Sequence, residues 1–419
     1  MAKDKYNALS PLRGSEMANR FKTITPGGHV PHEEQPCICL FSASYAPTIG
    51  GVETYTANLA KTLDSLGYRV IVVTSNTHNL SSRAEDDGVE IVRLPCRPLL
   101  GGRYPVPRRN AEFKAMWSWL EDQRVDYVVV NTRFYLHSRL GLSFACRKNI
   151  APVLIEHGSA HLTMGNAIVD TGVELIEHVL TAANKRFGAS YYAVSSKGSA
   201  WLAHFGLSSM GELSNSIDAD SFKASSSKRS FRTELGIAES DCAVAFVGRL
   251  VPEKGVVALA QASRILEDQP VSFLVAGDGP LRHQIEAQSG RRLHVLGKLD
   301  PQDVSALLSQ ADVYCLPSRS EGFATSLLEA AACCTPSIVT DVGGASELIP
   351  TEEFGTIIPD AEAETIAKAV LWAANHREAT AEKGRRVGEL VRAEFSWKKT
   401  AEKVIEACRL AQEQQDRPV

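Results

Sequence analysis

From Cys37 onward the sequence repeats one pattern: a short, nearly unbroken apolar run, then an amphipathic stretch. CICLFSASY, RVIVVTS, VEIVRLP, VDYVVVNT, PVLIEH and YYAVS lack a polar residue at every second position, so they read as strands buried on both faces. GGVETYTANLAKTLDSLG, NAEFKAMWSWLEDQ and GVELIEHVLTAANKRF carry helical spacing between them. Strands alternating with helices predict an α/β fold with parallel sheets covered on both faces. The apolar signal lapses in SNSIDADSFKASSSKRS and restarts with AVAFVGR, VSFLVAG, LHVLGKL, DVYCLPS, PSIVTDVGG and TIIPD. A chain of 419 residues is too long for one comfortable core. The pattern therefore divides it into a mobile polar tail (1–36), a first domain (37–220), a second (221–395) and a last helical segment (396–419). Two such Rossmann-like domains in tandem place a cleft between them, because ligands of open α/β sheets bind outside the carboxyl ends of the strands.

Composition narrows the function. With 45 Lys and Arg against 49 Asp and Glu, the formal charge of −4 argues against a nucleic-acid binder. No apolar run is long enough to span a bilayer. The N-terminal MAKDKYNALSPLRGSEMANRF has no apolar stretch ahead of a small-residue site and does not read as a secretory signal. Most of the nine cysteines lie within apolar runs. Cys37 and Cys39 would share one face of a strand, but they read as reduced thiols packed as small hydrophobes. A cytoplasmic compartment is the expectation.

The densest chemical signal is SRSEGFATSLLEAAACCTPSIVTDVGGASELI. A strand ends, a short loop through Phe323 follows, and a helix is expected from Ala324 or Thr325. Gly322 lets a ligand approach the backbone. The free N–H groups at the helix start, with the hydroxyls of Thr325 and Ser326, suit a diphosphate. Glu329 lies one turn inside, its side chain leaning back toward the helix mouth, placed to accept hydrogen bonds from a ribose diol. Glu321, in the loop, would face the sugar side of the same ligand, since a carboxylate accepts on both oxygens. Either glutamate alone is ordinarily a dipole-matched surface residue; the whole string is what carries function.

In AFVGRLVPEKGVVALAQA, Arg249 follows a buried strand and Lys254 with Gly255 opens the next helix. The two cations can clamp an anion and match the charge that develops on a diphosphate leaving group. Gly50 and Gly51, between a strand and a helix, form another backbone anion cradle, which is neither a dinucleotide fingerprint nor a P-loop. His157 falls at the carboxyl end of VLIE and should project toward ligand. Its spacing to His161 invites a zinc reading, but a residue ending a strand does not share a helical face with one four positions on, and no third ligand is evident. No metal site is expected. Asp218-Ala219-Asp220 and Gly277-Asp278-Gly279-Pro280 read as turn chemistry.

Together these strings resemble the retaining glycosyltransferases of the GT-B fold, specifically glycosyltransferase family 4 with its glycosyl transferases group 1 domain. The resemblance runs from about Cys39 to Trp397. Glu321-Gly322-Phe323 through Glu329 is similar to that family's Glu-x7-Glu motif, Gly248-Arg249 with Lys254-Gly255 to its diphosphate pair, and Pro47 through Glu53 to its N-terminal loop. Asn215 with Ile217-Asp218 resembles its interdomain stretch, and Phe395-Ser396-Trp397 the start of a C-terminal helix that crosses back onto the first domain. The resemblance implies two Rossmann-like domains facing across a cleft. It further implies metal-independent, retaining transfer of a hexose-type sugar from a nucleoside diphosphate, UDP favoured. In that reading His157, Glu321, Arg249 and Lys254 are catalytic, and Gly51, Gly322, Phe323, Ala324, Thr325 and Glu329 bind the donor. No cofactor is implied, the nucleotide sugar being a substrate. Ala324 and Cys334 stand where the family often has Gly, and Ser216 also departs from it; Ala324 bears on donor choice.

The acceptor that the resemblance implies is a glycan, lipid-linked or other hydroxyl. RLPCRPLLGGRYPVPRRN holds Arg93, Arg97, Arg103, Arg108 and Arg109 without an acidic residue. Basic residues mixed with Leu, Tyr and Val suit an anionic membrane face, which makes Arg103, Arg108 and Arg109 acceptor-side candidates of a peripheral enzyme. A non-catalytic nucleotide-sugar-binding partner of a glycosylation complex and a sugar-nucleotide epimerase of similar fold remain the alternatives.

Overall fold

A computed structural model describes residues 35–417, apart from 49, 162–166 and 289. The expected tail thus lies outside the described residues up to 34. The chain groups into two compact units, 1–152 and 153–419, so that the boundary expected at 220 falls inside the second.

The first unit carries β1 (Cys37–Phe41), β2 (Arg69–Asn76), β3 (Arg83–Asp86), β4 (Val89–Leu99), β5 (Tyr104–Pro107) and β6 (Tyr127–Asn131). They run in the order β3-β4-β2-β1-β6. β1 lies parallel between β2 and β6, with Cys39 opposite both Ile71 and Val128. Every residue of β1 is buried, which is why CICLF shows no alternation. Burial pushes the Cys37 thiol up to about 12 and the Cys39 thiol well above its usual value, so both are inert. All nine cysteines are free thiols.

β4 and β5 pair antiparallel, Arg97 opposite Val106 and Leu99 opposite Tyr104. The stretch read as a basic loop is therefore a hairpin, and Arg93 does not belong to its basic face. Arg93 sits inside β4, 2% exposed, donating to the Ser81 carbonyl at 3.1 Å. Arg97, Arg103, Arg108 and Arg109 are exposed, and so are Leu99 and Leu100 at the turn.

In the second unit β7 (Val153–Glu156), β8 (Ser190–Ala193) and β9 (Ser209–Glu212) are parallel neighbours. The Trp397–Asp416 helix, N-capped by Ser396, meets β7, and its Thr400 bonds Ser216 Oγ at 2.8 Å. The same unit holds β10 (Cys242–Val247), β11 (Val271–Ala276), β12 (Leu293–Gly297), β13 (Val313–Leu316), β14 (Ser337–Thr340) and β15 (Thr356–Ile358). These six pair in parallel, in the order β12-β11-β10-β13-β14-β15. β11, β13 and β14 are buried throughout, as unbroken apolar strands must be between two helical layers. Strand order reverses between β10 and β13, and at such a switch point the outgoing loops turn to opposite faces and open a crevice at the carboxyl edge. The α/β class expected from the alternation is the observed one. Among the described residues no helix is long and apolar enough to cross a membrane.

Candidate functional site

The two loops of densest signal leave the sheet at this switch point, one from β10 and one from β13. After β10, Gly248 and Arg249 pass over Gly277, where a Cβ would stand 1.8 Å from the Gly248 carbonyl oxygen. Arg249 is exposed, and its guanidinium has no ion-pair partner among the described residues. Pro252–Lys254 then makes one 3-10 turn ending at Gly255, whose φ of +67° suits glycine. A Cβ at Gly255 would lie 1.9 Å from the Pro317 carbonyl oxygen, so that turn packs directly on the end of β13.

That packing delivers Lys254 to Glu321. Lys254 Nζ donates to Glu321 Oε1 at 2.5 Å, and Ser318 Oγ donates to the same oxygen at 2.7 Å. The Lys254 stem also runs beside Gly248, its Cδ 4.0 Å from where a Cβ would be. The cation thus lies between the two strand-end loops.

The backbone of Glu321 and Gly322 is held by the segments following β7 and β8. Ser195 Oγ donates to the Gly322 carbonyl at 2.9 Å, and Ser159 Oγ donates to that of Glu321. A Cβ at Gly322 would stand 1.9 Å from the His157 carbonyl oxygen. Glycine is required there by the approach of another backbone, in addition to any approach by ligand. Phe323 is buried against Gly344 and packs at a tilt on Phe395, the ring centroids 5.7 Å apart.

The helix begins at Thr325, and Ala324 at its N-cap offers no side-chain acceptor. Its first N–H groups are therefore left for a ligand. Thr325 is half-buried at this mouth, whereas the Ser326 hydroxyl is not available there: it accepts from Tyr314 OH at 2.6 Å inside the unit. Of the two hydroxyls expected at the helix start, only that of Thr325 is left to a ligand. Glu329 is half-buried with no ion pair or hydrogen bond to its carboxylate among the described residues. Burial raises its pKa to about 7.

His157 follows β7, and Glu156 behind it is fully buried, its Oε1 accepting from His157 N at 3.1 Å and Gly158 N at 3.0 Å. Burial lowers the His157 imidazole to about 3, so it is neutral at physiological pH. Ser159, Ser195, Ser318 and Glu156 were not legible as site residues, because a serine or a strand-end carboxylate has no periodic signature. The pair Gly343-Gly344 after a strand was the one available signal for what packs beneath Glu321 and Phe323.

Gly51 lies in the first unit, opening the Gly51–Ser65 helix behind an N-cap, Gly50, without side-chain cap. A Cβ at Gly51 would meet nothing within 4 Å, so its surroundings are open. Asp218 caps a helix, its Oδ1 accepting from Ser221 N at 3.0 Å, consistent with turn chemistry rather than a metal ligand.

Residues 50–207 match the glycosyl transferase 4-like domain and residues 227–389 match glycosyl transferases group 1. A protein of Bacillus subtilis assigned to teichuronic acid biosynthesis, the glycosyltransferase TuaC, is 38% identical over 143 residues. That match covers 34% of this chain and 36% of that relative. The gpi3 subunit of phosphatidylinositol N-acetylglucosaminyltransferase of Schizosaccharomyces pombe is 24% identical over 87% of this chain and 78% of its own length. Sucrose-phosphate synthase from Thermosynechococcus elongatus superimposes with a TM-score of 0.72 at 20% identity, over 91% of this chain and 100% of its own. HepE of Anabaena, solved in complex with UDP-glucose, gives 0.65 at 17% identity, over 90% and 100%. At such identities the structural likeness carries the fold.

Proposed function

Because the chain belongs to the glycosyltransferases of the GT-B fold and the glycosyltransferase 4 type, we propose that it moves a hexose from a nucleoside-diphosphate sugar, UDP favoured, to a hydroxyl acceptor with retention of anomeric configuration. The observation that carries this reading is the Lys254–Glu321 pair at the strand-order switch, beside a helix start with no side-chain cap.

Each group has a task. Arg249 and Lys254 stabilise the charge that grows on the diphosphate as the anomeric carbon–oxygen bond breaks. The N–H groups at the head of the Thr325–Ala332 helix add their partial charge to the same oxygens. Fixed cations and helix N–H groups together supply the positive charge, and on that ground a divalent cation is not required in the donor site. Glu321 and the backbone from Gly322 to Thr325, including Phe323 and Ala324, orient the sugar. Glu329 as carboxylate holds the ribose diol, and neutral His157 contacts the sugar near the reacting bond. The acceptor hydroxyl attacks from the face the diphosphate leaves. Its oxygen bonds the anomeric carbon while its proton passes to a leaving phosphate oxygen, so no protein nucleophile is consumed. Gly51, at the head of its helix, is proposed as a further anion contact.

A lipid-linked or polymeric glycan acceptor is supported by two of the relatives, a phosphatidylinositol N-acetylglucosaminyltransferase subunit and a glycosyltransferase assigned to teichuronic acid biosynthesis. The β4–β5 hairpin, with exposed Arg103, Arg108 and Arg109 around Leu99 and Leu100, suits contact with an anionic inner membrane face. Nine free thiols fit a reducing, cytoplasmic setting. A panel of UDP-, GDP- and ADP-sugars, assayed for hydrolysis and for transfer with Lys254→Ala as control, tests the reading. Turnover of at least one donor, lost in the variant, is expected. No turnover of any donor, with equal nucleotide binding by both proteins, would overturn it.

A further inference from the structure

Three histidines far apart in sequence converge in the second unit. His161 lies four positions beyond His157, His178 belongs to the Ala167–Asn184 helix, and His204 ends the Ser196–His204 helix. Each can offer a ring nitrogen such that the three atoms lie within 4.8 Å of one another. The structure gathers His161 with His178 and His204.

The surroundings are those of a ligand set. Glu177 is buried, and its Oε2 lies 3.0 Å from His161 Nδ1. A carboxylate on Nδ1 fixes the proton there and leaves Nε2 as the electron-pair donor, the arrangement by which carboxylates orient metal-bound imidazoles. Glu174 Oε1 stands 3.4 Å from His161 Nε2, an oxygen available as fourth ligand. Trp201 stacks on His204 with centroids 4.9 Å apart and meets His161 edge-on at 4.8 Å, while Phe205 edges His161 at 5.8 Å. The ring nitrogens thus converge beside the aromatic rings of Trp201 and Phe205. Tetrahedral zinc with nitrogen at about 2.0–2.1 Å needs ligand atoms about 3.4 Å apart. From separations of up to 4.8 Å the set must contract by about 1.4 Å at its widest, and His204, exposed at a helix end, has room to supply that movement.

We propose that His161, His178 and His204 bind a transition-metal ion of the zinc class, with Glu174 or water as fourth ligand and Glu177 positioning His161. The ion would fasten the segment that carries His157 and Ser159, and so the backbone of Glu321, to two helices. This is a site separate from the donor machinery.

The test uses the untagged full chain, stripped of metal, titrated with Zn2+ by calorimetry and with Co2+ by visible absorption. One equivalent of Zn2+ is expected to bind with a Kd on the order of micromolar or tighter, Co2+ to give the intense bands of a tetrahedral site, and the melting temperature to rise. His178→Ala and His204→Ala should each weaken binding at least about tenfold and abolish the cobalt bands, and Glu177→Gln should weaken it by about 10–100-fold. His204→Ala, at an exposed position, serves where a buried variant fails to fold. Absence of one-equivalent binding, or binding that survives the His178→Ala/His204→Ala double variant (as capture by thiols would), overturns the proposal. A cluster that merely ion-pairs His161 with its two glutamates would give the first of these results.

Discussion

Lys254 Nζ and Glu321 Oε1 stand 2.5 Å apart, with side chains only 18% and 12% exposed, and Ser318 shares the carboxylate oxygen. In the free protein, Glu321 thus holds in place the charge that our reading assigns to the leaving diphosphate. Truncating either partner leaves the other a half-buried, unpaired charge, which is costly. Lys254→Ala should lower kcat by about 10²–10³. The Lys254→Ala/Glu321→Gln double variant should lose less than the sum of the single losses, because the two act as one unit. Steady-state kinetics on a four-member mutant cycle checks this, and strict additivity would count against a shared role.

Arg249 contrasts with Lys254, since it is exposed and unpaired among the described residues. Arg249→Ala should leave stability within about 0.5 kcal/mol while reducing kcat/KM for the donor at least about tenfold. Thermal melts beside kinetics separate the two effects, and unchanged kinetics would remove Arg249 from the site.

Glu329 sets a pH dependence. Its pKa is raised from the ordinary 4.5 to about 7, so the carboxylate that a ribose diol needs is present above that pH and lost below it. Donor KM should rise by about tenfold per pH unit below 7, the slope of one required deprotonation, and Glu329→Gln should flatten the profile. Stability runs the other way. The folded state keeps this proton when the unfolded state has released it, so the contribution is fully present below 4.5 and lost as pH rises through about 7. Glu329→Gln should therefore melt higher than the parent at pH 8. His157, lowered to about 3, adds no limb between pH 5 and 9.

Gly322→Ala would drive a methyl to 1.9 Å from the His157 carbonyl oxygen. Backbone cannot yield as a flexible side chain does. The 318–323 loop should shift, weakening its bonds to Ser159 and Ser195, with a stability loss of about 1–3 kcal/mol and near-complete loss of turnover. Denaturant unfolding with a donor assay checks both, and parent-like values in both would refute the close packing.

The β4–β5 hairpin predicts membrane affinity separable from chemistry. Charge reversal at Arg103, Arg108 and Arg109, or Leu99→Ser with Leu100→Ser, should abolish co-sedimentation with phosphatidylserine vesicles and leave donor hydrolysis unchanged. Equal sedimentation by parent and variants would dismiss the hairpin as a membrane contact.

The sequence by itself determined what is local. Unbroken apolar runs such as CICLF and VSFLVA gave strands buried on both faces, because a two-residue period exposes one face only where polar residues occupy it. The helix start at Thr325, the position of Glu329 one turn within it and the strand-end location of Arg249 followed from the same short-range geometry. Tertiary structure decided what must be brought together from afar. Pairing β10 beside β13 is what carries Lys254 to Glu321 across 67 residues, and no periodicity encodes which strands are neighbours. Packing alone turned Ser326 inward to Tyr314, buried Arg93 within β4, set the His157 carbonyl on Gly322 and joined His161 to His178 and His204. Sequence pattern records which face of an element is buried; the partner that covers that face is chosen by the whole fold, through contacts whose separation along the chain leaves no local mark.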